Sequence, residues 1–378
     1  MKTLLRGSGF DGLPTLSPEQ RKRKRTILAR PSRAVRVGRG TSVVDLVSQY
    51  ADAGIQARAL GSVARVVERM LADRRRPTVY LGLAGPLIAA GLRRVIRDLI
   101  DAGAVDVVVS TGAILYQDLY QARGGRHYRG TPQADDALLH RLRVDRIYDT
   151  YVDEEMFWAC DAWCGRVADE LPEGSYSSRA FIAELARRLD DPESILVTCR
   201  KRSVPVFSPA LNDSSIGIGL TEHRVRARRQ NRRGMGIDSI ADNHELVQTM
   251  VRSPATAAIY VAGGVPKNYI NDAVVMAYLF GQERGHDYAV QLTTDVPHWG
   301  GLSGSTLDEA KSWGKVDTEA STAMCFVEPS VSLPLVAGYV LGKGLARRRP
   351  RLRWTWQGET LVSLERAVTK TSAHVRQR

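Results

Sequence analysis

The sequence predicts an α/β fold, a mostly parallel sheet with helices on both faces. Two observations carry this. Short runs that are apolar at nearly every position, such as 78–83 and 257–262, mark strands covered on both sides. Segments with helical apolar spacing separate them, and strands alternating with helices pack as a parallel sheet. A hydrophobic content of 43% in 378 residues is enough for a buried core.

In order along the chain, residues 1–40 carry Pro14, Pro31 and a basic run and read as an extension with little structure of its own. From 42 to 73 the apolar spacing is helical, broken near Gly54. A strand at 78–83, a helix at 87–102, a strand at 105–110 and a helix at 114–122 follow. Residues 124–150 are polar and read as a long loop with a short helix. Helices at 154–170 and 178–189 precede strands at 194–199 and 204–207, and 208–215 reads as a loop. A helix at 242–252, a strand at 257–262, the turn Gly263-Gly264-Val265-Pro266, a helix at 268–280 and strands at 288–294 and 323–327 complete the sheet. After 345, period-two apolar spacing around Gln357-Gly358 predicts a β-hairpin. The expected organisation is an extension at 1–40, one α/β domain at 41–345 and a basic tail at 346–378. In such sheets ligands bind outside the carboxyl ends of the strands. The site is therefore expected in the loops at 83–87, 111–117, 208–217, 262–268 and 294–315.

The net charge of +13 is segmental. Windows 21–39, 224–233 and 347–353 hold 20 of the 54 basic residues and no acid, leaving a body with 34 basic against 41 acidic groups. These windows read as solvated arms, and without a zinc-finger, RNA-recognition or basic-zipper pattern a nucleic-acid partner is not expected. No apolar stretch has membrane-spanning length and no secretory leader is evident, so a soluble cytoplasmic protein without a membrane partner is expected. Four scattered cysteines form no disulfide framework and no metal site is expected; Cys160 and Cys164, four apart, read as core neighbours.

The string Gly7-Ser8-Gly9-Phe10-Asp11-Gly12 matches a dinucleotide fingerprint but has neither a strand before it nor a helix after it, and is set aside. Gly263-Gly264, between a strand and a helix, is either a tight turn or a place where backbone amides approach a phosphate. Lysine usage is more informative. Only nine lysines accompany 45 arginines, and between 202 and 342 only Lys267, Lys311 and Lys315 occur. Arginine replaces lysine as a surface cation but not as an imine-forming amine. Lys315, after Trp313-Gly314, is a candidate nucleophile beside an indole, with an ordinary surface lysine as the alternative. Glu309 is either an anion for a bound amine or a helix-start carboxylate.

Three strings carry a resemblance: Val204-Pro205-Val206-Phe207-Ser208-Pro209-Ala210-Leu211-Asn212-Asp213, Gly263-Gly264-Val265-Pro266-Lys267, and Asp308-Glu309-Ala310-Lys311-Ser312-Trp313-Gly314-Lys315. With Asp287-Tyr288-Ala289-Val290 they lie in order and resemble the deoxyhypusine synthase family from about 42 to 343. The resemblance implies a Rossmann-like NAD-binding fold. It also implies transfer of an aminobutyl group: spermidine is oxidised with NAD, diaminopropane leaves, a lysine carries the imine, and an acceptor amine receives it before reduction. Lys315 matches the imine-forming lysine, Trp313 the indole against the polyamine chain, and Glu309 an ammonium anchor. Thr111, Asp213, Ser215, Gly263, Gly264, Thr294 and Gly300 match positions lining the NAD site, and Glu328 stands where the family has an aspartate. A homo-oligomer, tetrameric as in the family, is implied.

Departures gather in the amine pocket. Asn268 replaces a catalytic histidine, Leu302 and Ile218 replace acidic positions, Gln117 replaces a glutamate and Pro86 an asparagine. New polar groups stand nearby: Asp272, Asp295 and His298, with Trp299. Asp272, Asp295 and His298, together with Asn268, are candidate substrate-binding residues. An ammonium desolvated without a carboxylate is costly, so the amine substrate is expected to differ from spermidine-to-protein transfer. A small diamine such as putrescine, or a guanidinium compound such as agmatine, is the expected acceptor. The competing expectation, from another class, is an idle NAD-binding scaffold or interaction protein.

Overall fold

The computed structural model describes residues 14–367. Six strands form one sheet, all neighbours parallel: β1 (Thr78–Leu83), β2 (Val107–Ser110), β3 (Val206–Phe207), β4 (Thr256–Val261), β5 (His286–Leu292) and β6 (Val316–Cys325). The spatial order is β6-β5-β4-β1-β2-β3, with Tyr80 beside Val107 on one side and Ala258 on the other. This is the doubly wound order, in which the winding reverses between the first and fourth strands. A crevice opens at the carboxyl ends of those two strands, where their connections leave in opposite directions.

Both faces are covered, which is why the strands read as continuous apolar runs. On one face Val79, Leu81 and Leu83 pack against α1 (Ile55–Ala72), α2 (Arg93–Ala102), α3 (Gly112–Ala122) and, later in the chain, the helix at Pro329–Gly342. On the other, Tyr80, Val107, Ala258 and Tyr260 pack against residues from two later helices and from the hairpin Arg351–Gln357 and Thr360–Ala367. Helix α4 (Ser215–Arg229) follows β3, α5 (Ser239–Arg252) precedes β4, and α6 (Gly264–Met276) follows it. Helix α6 packs close over β1: a Cβ at Gly82 would stand 3.2 Å from the Ile270 side chain and 3.7 Å from the Pro266 carbonyl carbon. Then come the short α7 (Leu307–Ser312) and α8 (Pro329–Gly342).

Several expectations are corrected. The segment expected as a strand at 194–199 is the helix Ile195–Arg202. Ser194 caps it and the buried Asp118 carboxylate accepts from the Ile195 and Leu196 amides, a tertiary contact that decides the helix end. The expected loop at 208–217 and the arm at 224–233 overlap α4, whose terminal Arg226, Arg228 and Arg229 complement its carboxyl end. The helix expected from 87 starts at Arg93, after Gly91 at a φ of 84°. Residues 124–150 contain the short helix expected, Asp136–Arg141, but also belong to a small antiparallel sheet, Tyr128–Arg129, Thr150–Asp153 and Val144–Ile147. The extension carries a capped helix, Pro18–Ile27, with no buried residue. The window 347–353 is no solvated arm: Arg349 and Arg76 are buried on Asp106, at 2.7 and 2.6 Å. The break near Gly54 and the hairpin are as expected, and all four cysteines are buried and unbridged. The Gly7–Gly12 string and the last eleven residues lie outside the described residues. Among the described residues no helix is long and apolar enough to cross a membrane.

Candidate active site

Lys315 stands immediately before β6, at the amino edge of the sheet; its carbonyl accepts from His286 N at the start of β5. This corrects the expectation that the whole site hangs from the carboxyl ends. Only the Lys315 side chain turns onto α6, where Nζ lies 3.0 Å from Asp272 Oδ1 and 3.3 Å from Asn268 Oδ1. Asn268 and Asp272 are four apart and so share one helix face, where Asn268 Nδ2 donates to Asp272 Oδ2 at 2.8 Å. Trp313, two residues before Lys315, is exposed and holds its ring centroid 5.2 Å from the ammonium.

One member was not assigned a role from sequence. Lys267 is 1% exposed, and its ammonium donates to Gln291 Oε1 at 2.9 Å, Ser305 O at 2.6 Å and Ser305 Oγ at 3.0 Å. Burial pushes Lys267 down to about 8, with the Lys315 charge adding to the fall and the Glu309 and Asp295 carboxylates opposing it. Its field therefore ties Lys315, Glu309 and Asp295 to one neighbourhood. Its scarcity among arginines was the signal available in the sequence.

Gln291 also donates to Ala262 O and Ser303 O, each at 2.7 Å, and Gly264 N donates to Ser303 Oγ at 2.9 Å. These bonds lock the loop after β5 onto the turn after β4. Gly264 has a φ of 59° with open space where a Cβ would stand, whereas a Cβ on Gly263 would lie 2.6 Å from Ser303 Cα. Both positions require glycine, for different reasons.

The remaining predicted residues line the carboxyl edge. Thr111 opens α3, Ser214 opens α4 ahead of Ser215, and Gly263 opens α6. None of these three helix starts is capped by its own N-cap side chain; Gly264 N of α6 is already taken by Ser303 Oγ, so it is the first-turn amides of α3 and α4 that are available to an anion. Asp213 and Thr294 are exposed there, Gly300 is exposed at a φ of 65°, and Glu328, three residues after the end of β6, caps α8 through Ser330 N. These groups suit a dinucleotide: amides for a pyrophosphate and carboxylates for ribose hydroxyls. His298 stands apart in polar terms, packed edge-on against Trp299 at 6.4 Å. Leu302 keeps its backbone near Lys267, while Ile218 is exposed on α4. Gln117 is buried and accepts from Ala89 N.

The doubly wound sheet, with a lysine-carboxylate pair at the helix that follows its glycine turn, defines an α/β class with a crevice at the switch point of the sheet. The comparisons narrow it. Residues 45–340 match the deoxyhypusine synthase family, and the chain belongs to that family. It is 41% identical over 329 residues to "Probable deoxyhypusine synthase 2" of Methanosarcina acetivorans, covering 86% of this chain and 94% of that one. It is 42% identical over 316 residues to "Deoxyhypusine synthase-like protein" of Chlorobaculum tepidum, covering 82% and 89%. The crystal structure of an Entamoeba histolytica protein described as a deoxyhypusine synthase matches the fold, with a TM-score of 0.57 at 20% identity over 80% of this chain and 94% of that one. The family's chemistry in general is NAD-dependent aminobutyl transfer.

Proposed function

We propose that this protein transfers an aminoalkyl group between amines as an imine on Lys315, with NAD as cofactor and a substrate choice different from spermidine-to-protein transfer. The observation that carries the reading is the Lys315 amine held between Asp272, Asn268 and the Trp313 ring. NAD would supply hydride exchange, held by Gly263, Gly264, Thr111, Asp213, Ser215, Thr294, Gly300 and Glu328.

The chain's own residues do the rest. Lys315, once neutral, is the nucleophile whose nitrogen replaces that of the donor amine at the imine carbon. Asn268 orients the Asp272 carboxylate, which holds the Lys315 nitrogen in place. The Trp313 face covers an alkylammonium chain. Glu309 and Asp295 anchor terminal ammonium groups, with His298 and Trp299, exposed in the loop after β5, as further contacts for the substrate. With Leu302 and Ile218 apolar, the anionic character moves to Asp272 and Asp295. The retained Lys315, Trp313 and Glu309 favour this over an idle scaffold. Exposed Leu279, Phe280 and Trp299 support a homo-oligomer. Incubation with NAD and a panel of polyamines, followed by borohydride and mass spectrometry, tests the reading. A trapped adduct on Lys315 is expected; none with any amine refutes it.

A further inference from the structure

The basic windows at 21–39 and 347–353 are far apart in the chain, and the fold brings their near ends together. Residues 33–41 run back along the helix Val43–Tyr50: Arg33 N donates to Asp52 O at 2.8 Å, Arg36 N to Gln49 Oε1 at 2.8 Å, and Thr41 N to Gly38 O at 3.1 Å. Arg33, Arg36 and Arg39 are therefore held against the body and not on a solvated arm. The start of that helix packs on the end of α8, so tightly that a Cβ at Gly342 would stand 2.6 Å from Val44 Cγ2. This contact lies five residues from Arg39 on one segment and five from Arg347 on the other. Just beyond Gly342, a cavity of about 380 Å³ is lined by Lys343, Gly344, Arg347 and Arg348.

The carboxyl end of a helix ordinarily repels anions, but here its carbonyls are occupied: Gly344 N, at a φ of 63°, donates to Leu341 O, and Leu345 N donates to Val340 O. Of the cavity's cations, Lys343 pairs with Glu68 at 2.6 Å, whereas Arg347 and Arg348 are exposed and have no acidic partner among the described residues. Upstream, the helix Pro18–Ile27 carries Arg21, Lys22, Arg23, Lys24 and Arg25 and buries none of its residues. Ser17 and Gln20 close a capping box at its start, so its first amides are satisfied locally. Five consecutive cations, about 100° apart around the axis, point in every direction. The helix therefore lacks the apolar face that a membrane-surface helix needs. No aromatic residue occurs between Phe10 and Tyr50, so the segment has no platform on which unpaired bases stack.

We propose that this joined basic surface docks duplex DNA, bound through its phosphates without base selectivity. A B-form major groove, about 12 Å wide, admits one helix between two phosphate walls, and a helix with cations all round meets both. The major groove of an RNA duplex is too deep and narrow for this. Arg36, Arg39, Arg347 and Arg348 meet the backbone beside the groove, each guanidinium fork matching a phosphate. Such contact is electrostatic, so affinity falls steeply with salt. A nucleic-acid partner, not expected from the basic windows taken singly, follows from their convergence.

The test is fluorescence anisotropy of the full chain with a labelled DNA duplex of about 20 base pairs, between about 50 and 200 mM salt. The slope of log affinity against log salt is expected to be about −5 or steeper, as six or more neutralised phosphates require. Combining Lys22→Gln, Arg23→Gln and Lys24→Gln should make the slope shallower by about 3, and combining Arg347→Gln with Arg348→Gln by about 2. All five side chains are exposed and Gln keeps helix propensity, so folding is preserved, which circular dichroism checks. Arg187→Gln, removing an exposed cation already paired with Glu184, should change nothing. An RNA duplex of the same length should bind at least about 10-fold more weakly. No binding of DNA, equal binding of the RNA duplex, a loss in the helix variant alone, or an equal loss in Arg187→Gln each overturns the proposal. Equally tight binding to vesicles of anionic lipid would put a membrane in place of DNA and also overturn it.

Discussion

Replacing Lys267 by Met removes a buried charge while keeping most of the side chain's volume, and the structure sets the balance. Burial lowers Lys267 from 10.5 to about 8. That interval corresponds to about 3 kcal/mol at neutral pH, which the variant is relieved of. Against this, the Gln291 Oε1 acceptor loses its Lys267 donor inside the core, at about 1–3 kcal/mol. At pH 7 the two stabilities should therefore lie within about 2 kcal/mol of each other. The folded pKa is the lower one, so the unfolded parent holds more protons between about 8 and 10.5, and parent stability climbs with pH across that window. By about pH 9.5 the difference should have moved about 2 kcal/mol in favour of the parent. Urea unfolding of both proteins at the two pH values measures it. A stability difference that does not change with pH refutes the claim that Lys267 is a charge held at the expense of stability.

Lys315→Arg keeps the cation and deletes the nucleophile, so borohydride trapping should fall to background and turnover by at least about 100-fold, read by mass spectrometry and product assay. Gly264→Val forces a β-branched residue into left-handed backbone at about 1–2 kcal/mol, and should weaken NAD binding at least about 10-fold in calorimetry while the protein stays folded. Asp106→Asn leaves Arg76 and Arg349 buried without their shared carboxylate. It should cost about 3–5 kcal/mol in urea unfolding and release the hairpin segment first, seen as faster amide exchange at 351–367.

The sheet was legible because β1, β4 and β5 are each long enough, and apolar enough on both sides, to be strands in any tertiary setting. The segment at 195–199 was not. Ile195 to Cys199 is an apolar run too short to separate strand from buried helix, and the Asp118 carboxylate at its first amides settled the matter from 77 residues away in sequence. The basic window at 347–353 misled for the same reason, since charge alone does not reveal that Asp106 waits inside for Arg349.

Of the candidate site, Lys315, Trp313, Glu309 and the glycine pair stood out in the chain because each is chemically distinctive in its local context. Asp272 and Asn268 could be named as replacements, but their face-to-face position with Lys315 depends on how α6 packs over β1 at Gly82. Lys267 drew notice only as one of few lysines, and its field on the cluster exists because Gln291 and Ser305 enclose it. The sequence by itself determined the fold class and the family, and singled out Lys315 as the candidate amine, all of which rest on local pattern and residue identity. The tertiary structure alone decided that this amine approaches from the amino edge of the sheet and which carboxylate it meets. Those are distances between residues far apart in the chain, and no local pattern encodes them.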